Sequence, residues 1–266
     1  MSTDQKDSDP RKAYWNDKYL AYWKTRVDEA GKGKSKVISG DSNTEDDSVY
    51  QKIFAQHGFN AGTLLEVGCA WGRMFPTYLL HGLVVTGSDI SQAMVDAARR
   101  DWIGQPGVLD VIETAAETLP FPDQHFDNLS CLATLDATFQ HQAMAEFLRV
   151  TKPGARIYVT GKNELYFADD KEAYLAEVGA RGKSHPNFFT DTSRLMQLLE
   201  QQGHKVESVY CFPRRGDFAA FRHVPHLQDR FYEYLLVITR GEQYWALPEF
   251  SSAYSRTYRD LSGNHE

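Results

Sequence analysis

The stretch LLEVGCAWGR, residues 64–73, decides the fold of this 266-residue chain. In this stretch an apolar strand is followed directly by glycines and then by a segment of helix length. Gly68 can adopt backbone angles that are closed to other residues, and Gly72 allows a ligand to approach the start of the helix. In open α/β sheets, ligands bind beyond the carboxyl ends of the strands, where the strand order reverses. We therefore expect a ligand site at this turn.

Short apolar runs alternate with helix-length segments on both sides of the turn. The apolar runs cover residues 63–67, 83–88, 108–113, 126–132, 156–160, 205–212 and 231–239. The helical candidates cover residues 72–81, 91–101, 141–151 and 192–202. This alternation predicts βαβ units and a parallel sheet with helices on both faces. Residues 213–230, between the last two runs, show no strong helical period, so an antiparallel pair of strands is expected to end the sheet.

The spacing of the glycines distinguishes between classes of ligand. Dinucleotide-binding turns follow the pattern G-x-G-x-x-G, but Arg73 stands where the third glycine should fall. The pattern acid-x-G-x-G-x-G fits better, with Glu66, Gly68 and Gly72 in place and Ala70 at the middle glycine. Here the chain resembles the class I S-adenosylmethionine-dependent methyltransferases. A packing turn in another α/β protein and a nicotinamide-dependent oxidoreductase are the alternatives.

The resemblance extends along about residues 50–212 and the strand near residues 231–239. The second strand ends at Asp89, close to the offset at which an acid reaches a ribose diol. LPF at residues 119–121, FD at 126–127 and FLRVTKPGARIYVTGK at 147–162 also resemble the family. One departure is Ala115, which stands where relatives commonly carry an acid that contacts the adenine amino group.

The resemblance implies an α/β, Rossmann-like class I methyltransferase fold. Its sheet is mostly parallel and seven-stranded, with helices on both faces and an antiparallel last strand. S-adenosylmethionine is the implied cofactor and S-adenosylhomocysteine the product. Glu66 suits the ammonium of the cofactor, whereas Met94 is equally consistent with an adenine wall and with a core position. The expected cofactor-binding residues are Glu66, Gly68, Cys69, Ala70, Gly72, Asp89, Ile90, Met94, Ala116, Glu117 and Cys131.

The loop after the fourth strand is expected to face the transferring methyl group. Many relatives have a histidine pair where Asp136 and Ala137 stand here. Asp136 is therefore the first candidate for a general base, which a hydroxyl acceptor requires; capping of the next helix is its alternative role. His141 and His185 are weaker candidates for the base.

Polar residues of two predicted insertions, at about residues 162–190 and 213–230, are expected to contact the methyl acceptor. The candidates are Lys162, Asn163, Tyr166, Arg214 and Arg222. The basic stretch around the two arginines suits an anionic acceptor, and a solvated loop or a subunit contact is the alternative. Asp169 and Asp170 fit a helix N-terminus better than a cation site, so no metal is expected.

Aromatic residues near the N-terminus recur at helical spacing. Trp15, Tyr19, Trp23 and Val27 predict a helix within residues 11–29 that has one apolar face. The polar residues 31–47 predict a linker. The expected domains are residues 1–50 as helix and linker, 51–240 as the methyltransferase domain, and 241–266 as a C-terminal tail. The helix is expected either to act as a lid or only to pack on the sheet.

Composition narrows the choice of partners. Lys and Arg number 29 against 36 Asp and Glu, giving a net charge of −7 that disfavours a nucleic-acid partner. The N-terminus has no apolar region typical of a secretion signal, and no apolar run is long enough for a membrane span. Three widely spaced cysteines favour reduced thiols and a cytoplasmic protein. A homodimer is one of the assemblies that this composition allows.

We therefore expect methyl transfer from S-adenosylmethionine to an oxygen or nitrogen of a small molecule. A sugar, a nucleotide-linked sugar or a natural-product intermediate suits the basic aromatic stretch. The alternative is a non-catalytic protein of the same fold that serves as a binding or regulatory subunit, which the alanines at 70 and 115 would favour.

Overall fold

The computed structural model describes residues 9–16, 24–25 and 47–262. The helices are α1 (Pro10–Asn16), α2 (Ser48–His57), α3 (Phe75–Leu80), α4 (Gln92–Trp102), α5 (Gln140–Val150), α6 (Lys171–Gly182), α7 (Thr192–Gln201) and α8 (Arg256–Ser262), with a 3-10 turn at Leu135–Ala137. The strands are β1 (Thr63–Val67), β2 (Val84–Asp89), β3 (Val108–Glu113), β4 (Phe126–Cys131), β5 (Thr151–Lys162), β6 (Phe189–Thr190), β7 (Lys205–Phe212), β8 (Glu233–Thr239) and β9 (Ser251–Ser252).

Seven strands form one sheet in the order β3-β2-β1-β4-β5-β8-β7. The first five are parallel, and β8 runs antiparallel to both β5 and β7. This arrangement confirms the predicted fold class, including the antiparallel last strand. The order reverses between β1 and β4, which pair directly at Leu65 and Leu129. The carboxyl ends of these two strands therefore mark the place where a ligand is expected.

Both faces of the central strands are buried, as expected for a parallel sheet between two layers of helices. Adjacent residues of β1 divide between the two cores. Leu64 packs with Phe54 of α2, whereas Leu65 packs with Phe147 of α5. Neighbouring apolar residues of this strand thus serve both layers.

Several elements were not predicted from the sequence. Helix α2 crosses the expected domain boundary at residue 50 and buries Ile53 and Phe54. The predicted insertion at residues 162–190 contains α6, of which only the N-terminus at Asp169 and Asp170 was expected; the helix begins where the Asp170 side chain accepts a hydrogen bond from the backbone N–H of Ala173. Beyond residue 240, where we expected a tail, Leu247 and Phe250 are buried. Short segments of this kind depend on tertiary packing, which local sequence patterns do not encode.

Part of the predicted N-terminal helix lies outside the described residues. These include Tyr19, Trp23 and Val27, and residues 31–46 of the expected linker. Trp15 belongs to α1, which covers Pro10–Asn16. Within the part of the chain that is described, no helix combines the length and the apolar character that crossing a membrane demands.

Candidate cofactor and acceptor site

A cavity lies beyond the carboxyl ends of β1, β2 and β4, at the place where the strand order reverses. Its lining comes from these strand ends, from the loop after β3 and from α1. The lining residues are Arg11, Trp15, Glu66, Val67, Gly68, Cys69, Ala70, Trp71, Arg73, Met74, Asp89, Ile90, Met94, Thr114, Ala116, Glu117, Leu132, Ala133, Thr134, Ala137 and Thr138. Nine of the eleven predicted cofactor residues are among them.

Gly68 brings the β1 turn close to the loop that follows β4. Its φ of +74° lies in the left-handed region, and a Cβ placed there would collide with the side chain of Thr134. The N–H groups of Gly68 and Cys69 donate hydrogen bonds to the carbonyl of Ser88, at 2.8 and 3.0 Å. The turn is thus fastened to β2 on one side and packed against the β4 loop on the other, which leaves no room for a side chain at residue 68.

Ala70 adopts the conformation that a glycine would take. Its φ is +50°, in a region that costs an L-residue roughly 1–2 kcal/mol. Its N–H donates to Asp89 Oδ2 at 2.9 Å, while Asp89 Oδ1 accepts from the N–H of Ser91 at 2.9 Å. The carboxylate thus holds both the β1 turn and the start of α4. Alanine at position 70 therefore leaves the loop intact, which removes one argument for a non-catalytic protein.

Glu66 is a buried acid with an unused oxygen. It is 4% exposed. Oε1 accepts a hydrogen bond from the hydroxyl of Tyr78 at 3.2 Å, and Oε2 has no hydrogen-bond partner among the described residues. Burial raises the pKa of Glu66 well above its usual value, and Arg73 partly opposes this rise. An unpaired buried polar atom costs folding free energy, so this oxygen favours a hydrogen bond from a cationic group of a ligand.

Asp89 stands at the other side of the turn. Burial raises its pKa to about 6, although the backbone N–H groups of Ser91, Ala70 and Ile90 lower it. The two carboxyl groups of Glu66 and Asp89 both line the cavity. A ligand that carries an ammonium at one end and a diol further along fits this pair of acids.

Helix α1 lies against the cavity and is tied to its rim. Arg11 is 8% exposed, and its Nη1 lies 2.6 Å from Glu117 Oε1. At the other end of the helix, Asn16 Oδ1 accepts from the hydroxyl of Ser91 at 2.9 Å. Arg11 and Trp15 both line the cavity, so the described part of the N-terminal helix forms one of its walls.

Glu117 links α1 to the backbone just before α5. Besides Arg11, its carboxylate accepts from the backbone N–H of Phe139 at 2.6 Å. The guanidinium of Arg11 lies 4.5 Å above the ring of Phe139. Both oxygens of Glu117 lie within 3.4 Å of the Arg11 guanidinium. The Glu117 side chain therefore holds α1 against the loop after β3. Ala116 and the half-buried Thr114 remain beside it as lining residues.

Two predicted cofactor residues do not line the cavity. Gly72 has a φ of +77°, and a Cβ there would collide with the rings of Trp102 and Phe75. This glycine therefore allows α4 to pack against the turn. Cys131 is fully buried within the core on one face of the sheet. Met94 lines the cavity and is itself 4% exposed, in agreement with both roles expected for it.

Asp136 forms a buried ion pair directly behind the cavity wall. Its Oδ2 lies 2.6 Å from the ammonium of Lys162, which also donates to Asn187 Oδ1 at 2.9 Å. Burial raises the pKa of Asp136, but Lys162 outweighs this effect and the net pKa is lowered. Burial in turn lowers the pKa of Lys162, yet Asp136 raises it above its usual value. Both groups are therefore charged at neutral pH.

Asp136 is not the cap of the following helix. It belongs to the 3-10 turn, and α5 begins after Phe139 without a side-chain cap. Neither Asp136 nor Lys162 is a lining residue, although their neighbours Ala137 and Thr138 are. The pair therefore supports the β4 loop from behind.

His185 joins this region to α1. Its ring centroid lies 5.0 Å from that of Tyr14 and 5.2 Å from that of Trp15. Burial and the nearby Lys162 lower its pKa to about 4, so its imidazole is neutral at neutral pH. His141, on the first turn of α5, is half-buried and does not line the cavity.

The remaining acceptor candidates have partners within the protein and do not line the cavity. Asn163 Oδ1 accepts from the hydroxyl of Thr192 at 2.9 Å. The hydroxyl of Tyr166 donates to Glu177 at 2.8 Å. Two further candidates form ion pairs with aspartates: Arg214 with Asp169 at 3.0 Å and Arg222 with Asp217 at 2.7 Å.

Sequence reasoning missed several lining residues, notably Arg11, Trp71, Arg73 and Thr134. The last three lie in the loops that follow β1 and β4, so their position at the ends of predicted strands was an available signal. Arg11 carried no such signal, because its partner Glu117 is 106 positions away.

Comparisons with known proteins indicate a methyltransferase domain in this chain. A family model for a methyltransferase domain matches residues 65–159, from β1 to β5. The ubiquinone biosynthesis O-methyltransferase of Coxiella burnetii is 25% identical over 170 residues, which cover 60% of this chain and 72% of that protein. A biotin biosynthesis bifunctional protein of Cellvibrio japonicus is 29% identical over 164 residues, which cover 61% of this chain and 32% of that protein. The chain thus spans about a third of the length of this second relative.

Among solved structures, geranyl diphosphate C-methyltransferase from Streptomyces coelicolor A3(2) shares the fold. Its TM-score is 0.61 at 14% identity, over 90% of this chain and 100% of that one. It was solved with S-adenosylhomocysteine bound. The family model, these relatives and the shared fold together identify residues 65–159 as a methyltransferase domain of the class I type, whose cofactor is S-adenosylmethionine.

Proposed function

We propose that the protein transfers the methyl group of S-adenosylmethionine to an oxygen or nitrogen of a small molecule. The observation that carries this proposal is the cavity at the strand-order reversal. Its wall holds the Asp89 carboxylate and a Glu66 oxygen that has no partner among the described residues. The cofactor supplies the electrophilic methyl group when it is bound. The task left to the protein is to align donor and acceptor and to manage a proton.

Each part of the cofactor has a candidate partner in the cavity. Glu66 would hold the ammonium, because its Oε2 has no other described partner. The turn at Gly68 would let the ligand approach the backbone. Asp89 would accept hydrogen bonds from the ribose diol, and Met94 and Ala116 would supply apolar contact for the base.

Replacing Asp89 with asparagine should weaken cofactor binding. A hydrogen bond to a charged group contributes about 1.5–3 kcal/mol, so the Kd for S-adenosylhomocysteine should rise about tenfold or more. Calorimetry on the wild type and the variant measures this change. Asp96→Asn, at an exposed position of the adjacent helix, is the matched control and should bind as the wild type does. Equal affinity in all three proteins would exclude Asp89 from the site.

The acceptor would enter beside Trp15, Thr134 and Thr138, which line the cavity near the β4 loop. An oxygen acceptor is the first to test. Two relatives support this order: the Coxiella burnetii protein and the malonyl-[acyl-carrier protein] O-methyltransferase of Yersinia pestis are both named O-methyltransferases. Among small molecules, a sugar, a nucleotide-linked sugar or a natural-product intermediate remains our proposal.

We propose that α1 acts as a lid held by Arg11. Arg11→Met removes the charge that contacts Glu117, a partner buried at 6% side-chain exposure. Loss of this charge-assisted pair should speed release of S-adenosylhomocysteine by about tenfold, measured by stopped-flow fluorescence. Lys12→Met is the control, since Lys12 pairs with Glu113 but is 44% exposed, and exposed pairs contribute about 0–1 kcal/mol. Identical release rates from the two variants would leave α1 with a packing role only.

The activity itself is tested with a panel of acceptors. The purified protein is incubated with S-adenosylmethionine and candidate phenols, sugars, nucleotide-linked sugars and amines, and formation of S-adenosylhomocysteine is measured. We expect acceptor-dependent formation with at least one class. Tight cofactor binding without turnover across the panel would favour the non-catalytic alternative.

A further inference from the structure

The C-terminal segment, residues 251–262, packs onto the insertion that joins β5 to β6. The two are far apart in the chain, yet β9 pairs with β6 through Phe189–Ser252 and Thr190–Ser251. The backbone N–H of Arg256 also donates to the carbonyl of Glu164 at 2.8 Å. The segment is therefore fastened to both ends of the insertion.

Glu177 of α6 lies at the centre of this contact. It is 1% exposed, and its Oε2 accepts hydrogen bonds from the hydroxyls of Tyr166 at 2.8 Å and Ser255 at 2.7 Å. Its Oε1 accepts from the N–H of Ser255 at 3.0 Å. A buried carboxylate is retained only where such donors surround it. Two of its three donor groups come from the C-terminal segment.

Thr257 makes a second link. Its hydroxyl donates to the carbonyl of Tyr166 at 2.9 Å and accepts from the N–H of the same residue at 3.1 Å. Thr257 is 1% exposed and Tyr166 is fully buried. The Thr257 hydroxyl thus satisfies both backbone hydrogen-bonding groups of Tyr166, as a neighbouring strand would.

The far end of the same insertion reaches the cavity wall. His185 contacts Trp15, a lining residue. Asn187 accepts from Lys162, and the N–H of Phe188 donates to the carbonyl of Asp136 at 2.6 Å. No lining residue of the cavity belongs to residues 251–262. In the described part of the chain, the strand pairing, hydrogen bonds, ion pair and ring contacts that residues 251–262 make outside their own segment lead to residues 164–190 of the insertion.

We propose that residues 251–262 hold the acceptor-side insertion in place, with Glu177 and Thr257 as positioning residues, so that acceptor selection depends on this segment while cofactor binding does not. The division into a cofactor side and an acceptor side rests on the proposed function. The contacts themselves are independent of it.

The experiment uses a matched pair at one position in the full chain. Thr257→Val removes both hydrogen bonds at nearly constant volume, and Thr257→Ser keeps the hydroxyl. With S-adenosylhomocysteine present, Thr257→Val should raise amide exchange of residues 185–190 by about tenfold or more, while exchange in β1 and β4 stays unchanged. The ring resonances of His185, assigned from a His185→Gln spectrum, should move toward those of an exposed imidazole. The Kd for S-adenosylhomocysteine should stay within about twofold of wild type, and Thr257→Ser should match wild type in every measurement.

Glu177→Gln provides a second variant should Thr257→Val not fold, because it keeps the shape of the side chain. Unchanged exchange at residues 185–190 and an unmoved His185 signal in the folded variants would overturn the proposal. A parallel loss of cofactor affinity would overturn it too, because the segment would then support the whole domain. Failure of the wild type to bind S-adenosylhomocysteine would instead contradict the proposed function, and the exchange data would still report on the positioning contacts.

Discussion

Gly68→Ala is expected to weaken cofactor binding severely in a protein that still folds. Two effects oppose the native conformation of the β1 turn in this variant. Residue 68 has a φ of +74°, and an alanine there costs roughly 1–2 kcal/mol. Its Cβ would also overlap the side chain of Thr134, so the β1 turn and the β4 loop must separate. Both loops line the cavity, and we expect the affinity for S-adenosylhomocysteine, measured by calorimetry, to fall by at least about a hundredfold, or roughly 2.7 kcal/mol.

The control for this experiment is Gly82→Ala. Gly82 has a nearly identical φ of +73°, but nothing lies within 4 Å of the Cβ position. This substitution carries the backbone cost without the collision. It should lower the midpoint of thermal unfolding by a few degrees, in proportion to about 1 kcal/mol, and leave the cofactor affinity unchanged. If Gly68→Ala bound S-adenosylhomocysteine as tightly as Gly82→Ala, the close approach of the two loops would have no bearing on the cofactor.

The β1 turn illustrates what can be predicted from the sequence. A strand that ends in Gly68 and a second strand that ends in Asp89 are local patterns, and parallel strands bring their carboxyl ends together at one edge. The sheet and the cofactor side therefore follow from short segments. Ala70 shows the limit of such reasoning, because the motif alone suggests a defect there. The structure shows an alanine that adopts a left-handed φ of +50° and makes the backbone hydrogen bond to Asp89.

The acceptor side was less predictable because its contacts join distant segments. Asp136 and Lys162 were predicted separately, one as a base and the other as an acceptor ligand. The structure places them 2.6 Å apart. Arg11 likewise meets Glu117 across 106 positions. No periodicity or spacing encodes such pairs, since they arise only when the loops after β3, β4 and β5 converge with α1.

Asp136→Asn is expected to change both stability and turnover. The substitution leaves the ammonium of Lys162, whose side chain is 19% exposed, without its carboxylate partner. Breaking a fully buried ion pair costs about 3–5 kcal/mol, so we expect this half-buried pair to lose about 1–3 kcal/mol of unfolding free energy. If Asp136 is also the general base for a hydroxyl acceptor, turnover should fall by about 10²–10⁴-fold while cofactor affinity holds. Chemical denaturation and steady-state kinetics on the acceptor identified by the panel measure the two effects.

The double variant Asp136→Asn/Lys162→Met separates these effects. Removing both charges leaves no uncompensated ion, so most of the lost stability should return. A proton-accepting carboxylate is still absent, so a catalytic loss should persist in the double variant. Recovery of turnover to within about tenfold of wild type would mean that Asp136 acts through its ion pair and not as a base. His185 would then be the next residue to replace, because burial and Lys162 keep its imidazole neutral and it lies against Trp15 in the cavity wall.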